Sequence, residues 1–107
     1  PGSVKPDVVE LRDVMPTVLE AAGVEIPDSV EGISLWNTAL KESGTPKVRD
    51  YLHGEHTLGE ASSHWIITRD EKYIWYSRTG EEQYFRIAED PDELHNLIGS
   101  VEAKERV

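Results

Sequence analysis

"SSHWIITRDEKYIWYSR", residues 62–78, decides the fold of this chain. Two runs rich in β-branched and aromatic residues flank Asp70-Glu71, and such runs joined by a tight polar turn read as a β-hairpin. Side chains alternate along a strand, so Trp65 and Ile67 share a face. Downstream, "RTGEE" (78–82) holds a second turn and "QYFRIA" (83–88) the strand after it, with Phe85 and Ile87 on one face. Upstream, "YLHGEHT" (51–57) reads as a strand with Gly54 as a possible bulge. Four consecutive strands predict an antiparallel meander.

The flanks are helical or capped. "VELRDVMPTVLEAAG" (9–23) places Leu11, Val14, Met15, Val18, Leu19 and Ala22 in one apolar stripe at helical spacing. Pro16 interrupts it, because proline lacks an N–H and restricts the residue before it. The spacing therefore predicts a short turn over 11–15 and a helix from Pro16 to about Ala22, stopped by Gly23. "VEIPDSVEGIS" (24–34) is a loop. Ser34 is placed to cap a short helix through "LWNTALKE" (35–42), with Leu35, Trp36, Ala39 and Leu40 as its buried side, and "SGTPK" (43–47) is another loop. In "EDPDELHNL" (89–97), Asp90 as N-cap, Pro91 and Glu93 make a capping-box pattern, and Leu94 and Leu97 are expected to pin that turn to the core. "SVEAKERV" (100–107) reads as the start of a helix. The predicted class is α+β: a four-stranded antiparallel sheet packed with two to three short helices. One domain is expected, with 1–48 as a helical connecting segment, 49–98 as sheet plus capping turn, and 99–107 as the start of a C-terminal helix. Both ends read as cut from something longer.

Composition removes several functions. The chain has 107 residues, 37% apolar and 30% charged, which suits a small globular piece with one modest core. Its net charge of −10 opposes nucleic acid and anionic membrane surfaces, whose binding depends on cationic side chains. No apolar run approaches the ~18 residues of a membrane span. With no cysteine, disulfides, thiolate zinc sites and a cysteine nucleophile are excluded, while the compartment is left open.

Three of the four histidines lie in residues 49–70. His53-Gly54-Glu55-His56 has the wrong spacing for a zinc-protease helix, where two histidines four apart face one way. On a strand, His53 and His56 point to opposite faces unless a bulge intervenes. Ser62 and Ser63 precede His64 without a nucleophile elbow. The carboxylates of 81–82 and 89–93 are explained by turn solvation and capping. Trp65, Tyr73, Trp75 and Tyr76 make either a core with an aromatic edge or a sugar-stacking platform, the first being simpler. No glycine-rich phosphate loop occurs. The residues alone give an acidic α+β domain without a complete active site, which also fits an autonomous module binding a peptide or glycan.

Residues 9–40 resemble the stretch that follows the metal-binding core of sulfatases. Asp13, Pro16, Thr17, Leu19, Ala22, Gly23, Gly32, Ser34 and Leu35 fit that pattern. "RDYLHGEH" (49–56) is similar to the next sulfatase strand, and "KYIWYSRTGEEQYFRIAEDPDELHNL" (72–97) resembles the C-terminal signature, with Arg86 where the family usually has Asp. The resemblance implies the C-terminal portion of a sulfuric ester hydrolase of the alkaline-phosphatase-like superfamily, or of a related phosphonate or phosphate ester hydrolase. Such a parent uses calcium and a formylglycine; neither machinery is matched by residues here, so the chain itself is expected to carry no cofactor, metal or catalytic residue and to be inactive. The implied partners are an N-terminal catalytic domain of the same polypeptide and a sulfate ester substrate, with self-association of the fragment as a further expectation. His53, Glu55 and His56 are expected at the rim of the substrate cleft.

Overall fold

The structure is a computed structural model that describes residues 4–40 and 48–106. The chain divides into two compact units, Pro1–Asp50 and Tyr51–Val107.

The first unit is built around a turn of 3-10 helix, Leu11–Asp13, that runs directly into α1, Val14–Ala21. The helix therefore starts two residues earlier than the proline rule predicts. Pro16 is its third residue, still within the first turn, where no intrahelical N–H bond is lost. Gly23 stops the helix as expected. It takes φ 68°, and its N–H bonds Glu20 O while that of Val24 bonds Leu19 O, the paired pattern of a Schellman cap. Ser34 also caps as expected: its Oγ accepts from Trp36 N–H at 3.2 Å at the start of α2, Trp36–Leu40. The predicted buried side of that helix is not found. No residue of α2 is buried and Leu40 is 62% exposed, because one and a half turns offer too little apolar length to enclose. The predicted continuation to 42 and the loop at 43–47 lie outside the described residues.

Asp13 holds this unit together. It is fully buried and accepts from Arg49 Nη1 at 2.6 Å and Nη2 at 2.8 Å, and from the backbone N–H groups of Glu10 and Ile33 at 2.9 Å each. Thr17 Oγ1 donates to Asp13 O and accepts from Leu35 N–H at 2.8 Å. Three separated segments, 10–17, 33–35 and 49, are thereby fixed to one carboxylate and one hydroxyl.

The second unit is the expected meander. β1 (Leu52–His56), β2 (Ser63–Ile67), β3 (Lys72–Tyr76) and β4 (Glu82–Phe85) form one sheet in the order β1-β2-β3-β4, every pair antiparallel. Thr68 N–H bonds Glu71 O, so Arg69-Asp70 is the hairpin tip, one residue earlier than read from the sequence. A short 3-10 turn, Gly59–Ala61, joins β1 to β2. The fourth strand is shorter than "QYFRIA". Arg86 O accepts from the N–H groups of Glu89 and Asp90, so the chain turns at Arg86 and Ile87 leaves the strand. Gly54 is no bulge: the register runs unbroken from Leu52↔Ile67 to His56↔Ser63. Its role is close approach, since a Cβ there would run into the Trp65 indole.

The capping box at Asp90 does not form a helix. Asp90 accepts from Leu94 N–H at 3.1 Å and His95 N–H at 2.8 Å. Glu93, however, sits at φ 53°, which breaks helical continuity, and its carboxylate bonds Lys72 Nζ at 2.8 and 2.9 Å instead of reaching back. Leu94 consequently points outward at 73% exposure, contrary to the predicted pin. Asn96 and Leu97 instead cover the open edge of β4: Asn96 Oδ1 accepts from Tyr84 N–H at 3.0 Å and Leu97 N–H donates to Tyr84 O at 2.8 Å. An unpaired strand edge is thus closed by one side chain and one amide. The last helix, α3 (Val101–Arg106), forms where expected.

Candidate functional site

The register sorts the sheet into two faces. One carries Leu52, Gly54, His56, Trp65, Ile67, Ile74 and Phe85; the other carries His53, Glu55, His64, Ile66, Tyr73, Trp75, Glu82 and Tyr84. Leu52 and Phe85 are buried on the first face, which also carries Ser63, Lys72, Tyr76 and Gln83, and Tyr84 is buried on the second. The second face gathers two histidines with Glu55, Tyr73 and Trp75.

His53 and Glu55 therefore lie together and His56 does not. The absence of a bulge sends His56 to the opposite face, so the three rim residues read from the sequence do not form one cluster. The structure supplies a different third member, His64. Its Nδ1 stands 3.7 Å from Glu55 Oε2. Its ring stacks on His53, with centroids 6.1 Å apart and planes at 17°, and on Trp75 at 5.5 Å and 27°. His64 faces Glu55 and Trp75 directly and His53 diagonally, distances within reach of ring side chains across antiparallel strands. The signal for His64 was the β1–β2 register, which two short strands joined by a six-residue connection leave open to sequence reading.

Three nearly parallel rings shield each other's faces. Their edges and the outer faces of His53 and Trp75 stay open, and Trp75 is 41% exposed. This arrangement suits hydrogen bonding through imidazole edges better than laying a sugar flat across three rings. Glu55 adds an acceptor. At the next rung, Tyr73 donates its hydroxyl to Glu82. Burial, reinforced by that carboxylate, pushes the Tyr73 phenol up to about 12.

Beside the stack, a recess of about 310 Å³ is lined by Ile66, Thr68, Glu71, Tyr73, Tyr84 and Arg106. Glu71 accepts from Arg106 and, at 2.8 Å, from Tyr84 Oη. The Arg106 guanidinium holds the Glu71 carboxyl below its ordinary range, while burial raises the Tyr84 phenol. Glu71 is thus an anionic acceptor with its partners already in place. The Ser62–Ser63–His64 run makes no nucleophilic pair: Ser63 lies on the opposite face from His64, and Ser62 Oγ donates to Gly59 O at 2.8 Å. Among the described residues, no group of three or more His, Asp or Glu is arranged to hold a metal ion. Also among the described residues, no helix is long and apolar enough to cross a membrane.

The chain is similar to known proteins along nearly all of its length. It is 53% identical to an arylsulfatase of Clostridium perfringens, a match that covers 99% of this chain and 22% of that protein. It is 32% identical to arylsulfatase K of Xenopus laevis, covering 97% of this chain and 21% of that protein. In three dimensions it matches a solved complex of a protein with its substrate D-glucosamine-2-N,6-O-disulfate, with a TM-score of 0.71 and 27% identity over 88% of this chain and 20% of that one. The chain spans about a fifth of the length of these relatives. The family described as N-sulphoglucosamine sulphohydrolase, C-terminal, matches residues 1–107. This chain therefore belongs to that family of sulfatase C-terminal domains.

Proposed function

We propose that this chain is the C-terminal part of a sulfuric ester hydrolase and that its polar sheet face lines the substrate cleft. The family match along the whole chain carries the first half of the reading. The clustering of His53, Glu55 and His64 on one sheet face, with His53 and Glu55 exposed, supports the second half. In that role His53 and His64 hydrogen-bond the leaving-group side of a sulfate ester, and Glu55 accepts from its hydroxyls while orienting His64. His56, on the other face, stands outside this rim. The calcium and formylglycine that the sulfatase resemblance implies would belong to polypeptide outside these residues. The chain alone supplies no nucleophile and is inactive.

The test is a chimera. This chain replaces the matching portion of the clostridial arylsulfatase, and hydrolysis of an aryl sulfate is followed. His53→Ala, Glu55→Gln and His64→Ala should each lower kcat/KM about 10-fold, mainly through KM, as expected for lost binding contacts. His56→Ala should leave it unchanged. Wild-type kinetics in the first three variants would remove the rim reading.

A further inference from the structure

One rung of the second sheet face crosses all four strands as Glu55, His64, Trp75 and Glu82, each standing directly opposite the next. Two stacked rings are thus bracketed by two carboxylates. The Glu55 end is occupied, because His64 Nδ1 stands 3.7 Å from Glu55 Oε2. The Glu82 end is open. His64 covers the indole face of Trp75 on the β2 side, with centroids 5.5 Å apart. The other indole face looks toward β4, where Glu82 is exposed. The Tyr73 hydroxyl donates to the Glu82 carboxylate, a neutral donor that holds the charge in place and does not cancel it. The strand residues of this face include no lysine or arginine. Among the described residues, Glu82 is paired with no cation, and Arg78, in the turn after β3, is paired with no carboxylate. Arg106, the other cation nearby, is held by Glu71.

We infer that the outer face of Trp75 and the carboxylate of Glu82 form a subsite for a cationic group, an ammonium carried by the leaving group of the sulfate ester. An indole face is the negative side of the ring quadrupole and attracts a cation placed over it. Glu82 stands across the strand pair, with Cβ atoms about 5 Å apart, and supplies the counter-charge. Its carboxylate has acceptor positions left after the bond from Tyr73, so an ammonium can bond Glu82 and lie on the indole at once. A neutral substituent would use the ring and leave the carboxylate without a charged partner. An anionic substituent would meet Glu82 with no compensating cation on the face, so the same corner rejects it. Sulfate esters with an amine beside the ester are favoured, and those with a second sulfate or a carboxylate there are disfavoured. Glu82 and Trp75 are thus specificity-determining residues, and Tyr73 is a positioning residue that acts through Glu82. The inference rests on the reading of this face as cleft lining and adds to it the charge of the leaving group.

The chimera with the clostridial arylsulfatase is given three aryl sulfates of similar size that differ in the charge of one substituent: aminomethyl, hydroxymethyl and carboxylate, each para to the ester. Intrinsic reactivity cancels when the ratio of kcat/KM between two of them is compared between parent and variant. The parent should favour the aminomethyl over the hydroxymethyl ester by about 10-fold, carried mainly by KM. Glu82→Gln and Trp75→Leu should each cut that ratio at least about 3-fold, and Tyr73→Phe should cut it by less. Glu82→Gln should also raise the carboxylate ester relative to the hydroxymethyl one. Glu81→Gln removes the same charge one residue earlier, outside the strand, and should keep the ratio. Should Trp75→Leu yield no folded chimera, Trp75→Phe gives a smaller fall in the same direction. A ratio that Glu82→Gln does not move overturns the inference. So does an equal fall in Glu81→Gln, which would assign the preference to the general field of the chain. A chimera whose Tm falls in Glu82→Gln while the ratio stands assigns the corner to a cation of the remaining polypeptide and likewise overturns it. Impaired His53→Ala and His64→Ala variants with a flat charge series would remove this inference and leave the rim reading standing, whereas unimpaired ones would remove the rim reading itself.

Discussion

Arg49 Nη1 and Nη2 grip the fully buried carboxylate of Asp13 at 2.6 and 2.8 Å, across 36 residues of sequence. The two-pronged geometry matches a planar guanidinium to a planar carboxylate. Two backbone N–H groups complete the shell, so the charge is both paired and hydrogen-bonded. Removing either partner would leave an uncompensated buried group. Asp13→Ala and Arg49→Met should each destabilise the first unit by on the order of 3 kcal/mol. Arg49→Lys keeps the charge, loses one prong and should cost less. Faster hydrogen exchange at the amides of Ile33 and Glu10, both bonded to Asp13, checks the location of the loss.

The same pair sets an acid limit. Hydrogen bonding from Arg49 holds the Asp13 carboxyl at about 2, against an ordinary value of 3.8. A carboxyl with a depressed folded-state value stabilises fully above its unfolded value, and the gain fades as pH falls through the folded one. The contribution is about 2 kcal/mol at neutral pH and should be lost between pH 4 and pH 2. Urea midpoints measured across that window should fall for the parent and stay flatter for Asp13→Asn.

Tyr73 sets an alkaline feature of opposite sign. Its phenol is raised from 10.0 to about 12 by burial and by Glu82. The neutral form is favoured in the fold, so the contribution is complete below pH 10 and lost as pH rises through 12. Tyrosinate absorbance should show a late phase to which Tyr73 and Tyr84 both contribute. Tyr73→Phe should remove the Tyr73 share of it, and Glu82→Gln should shift that share toward lower pH.

Gly54 and Trp65 are coupled sterically. A Cβ at position 54 would meet the Trp65 indole on the same face. Gly54→Ala should therefore cost about 2 kcal/mol, the range for overpacking, and perturb the near-ultraviolet signal of Trp65. Pairing it with Trp65→Leu should recover part of the loss. A Gly54→Ala variant as stable as the parent would show that the indole has room to move.

How much of this was legible in the sequence depended on whether a feature was local. The Trp65–Tyr76 hairpin, the Gly23 stop and the Ser34 cap are each determined within a few residues, and they formed as read, apart from a one-residue shift of the hairpin tip. Features that needed a partner far along the chain did not. Glu93 satisfies the spacing of a capping box but is claimed by Lys72, 21 residues away. The apolar stripe of α1 has ordinary helical periodicity, and only the bidentate tie to Arg49 reveals which side of the helix faces inward. His53-Gly54-Glu55-His56 shows the same division. Alternation correctly separates His53 from His56, but the recruitment of His64 needs the β1–β2 register. Pro16 misled in a smaller way, because proline is tolerated anywhere in a first turn.

The central claim is that these 107 residues shape and support a sulfatase cleft without performing the chemistry. The most direct measurement is aryl sulfate turnover by the purified isolated chain beside the chimera carrying it, at equal concentration. The account predicts turnover by the chimera and none above buffer for the isolated chain. Hydrolysis by the isolated chain, or a folded chimera that turns over no sulfate ester, would contradict it.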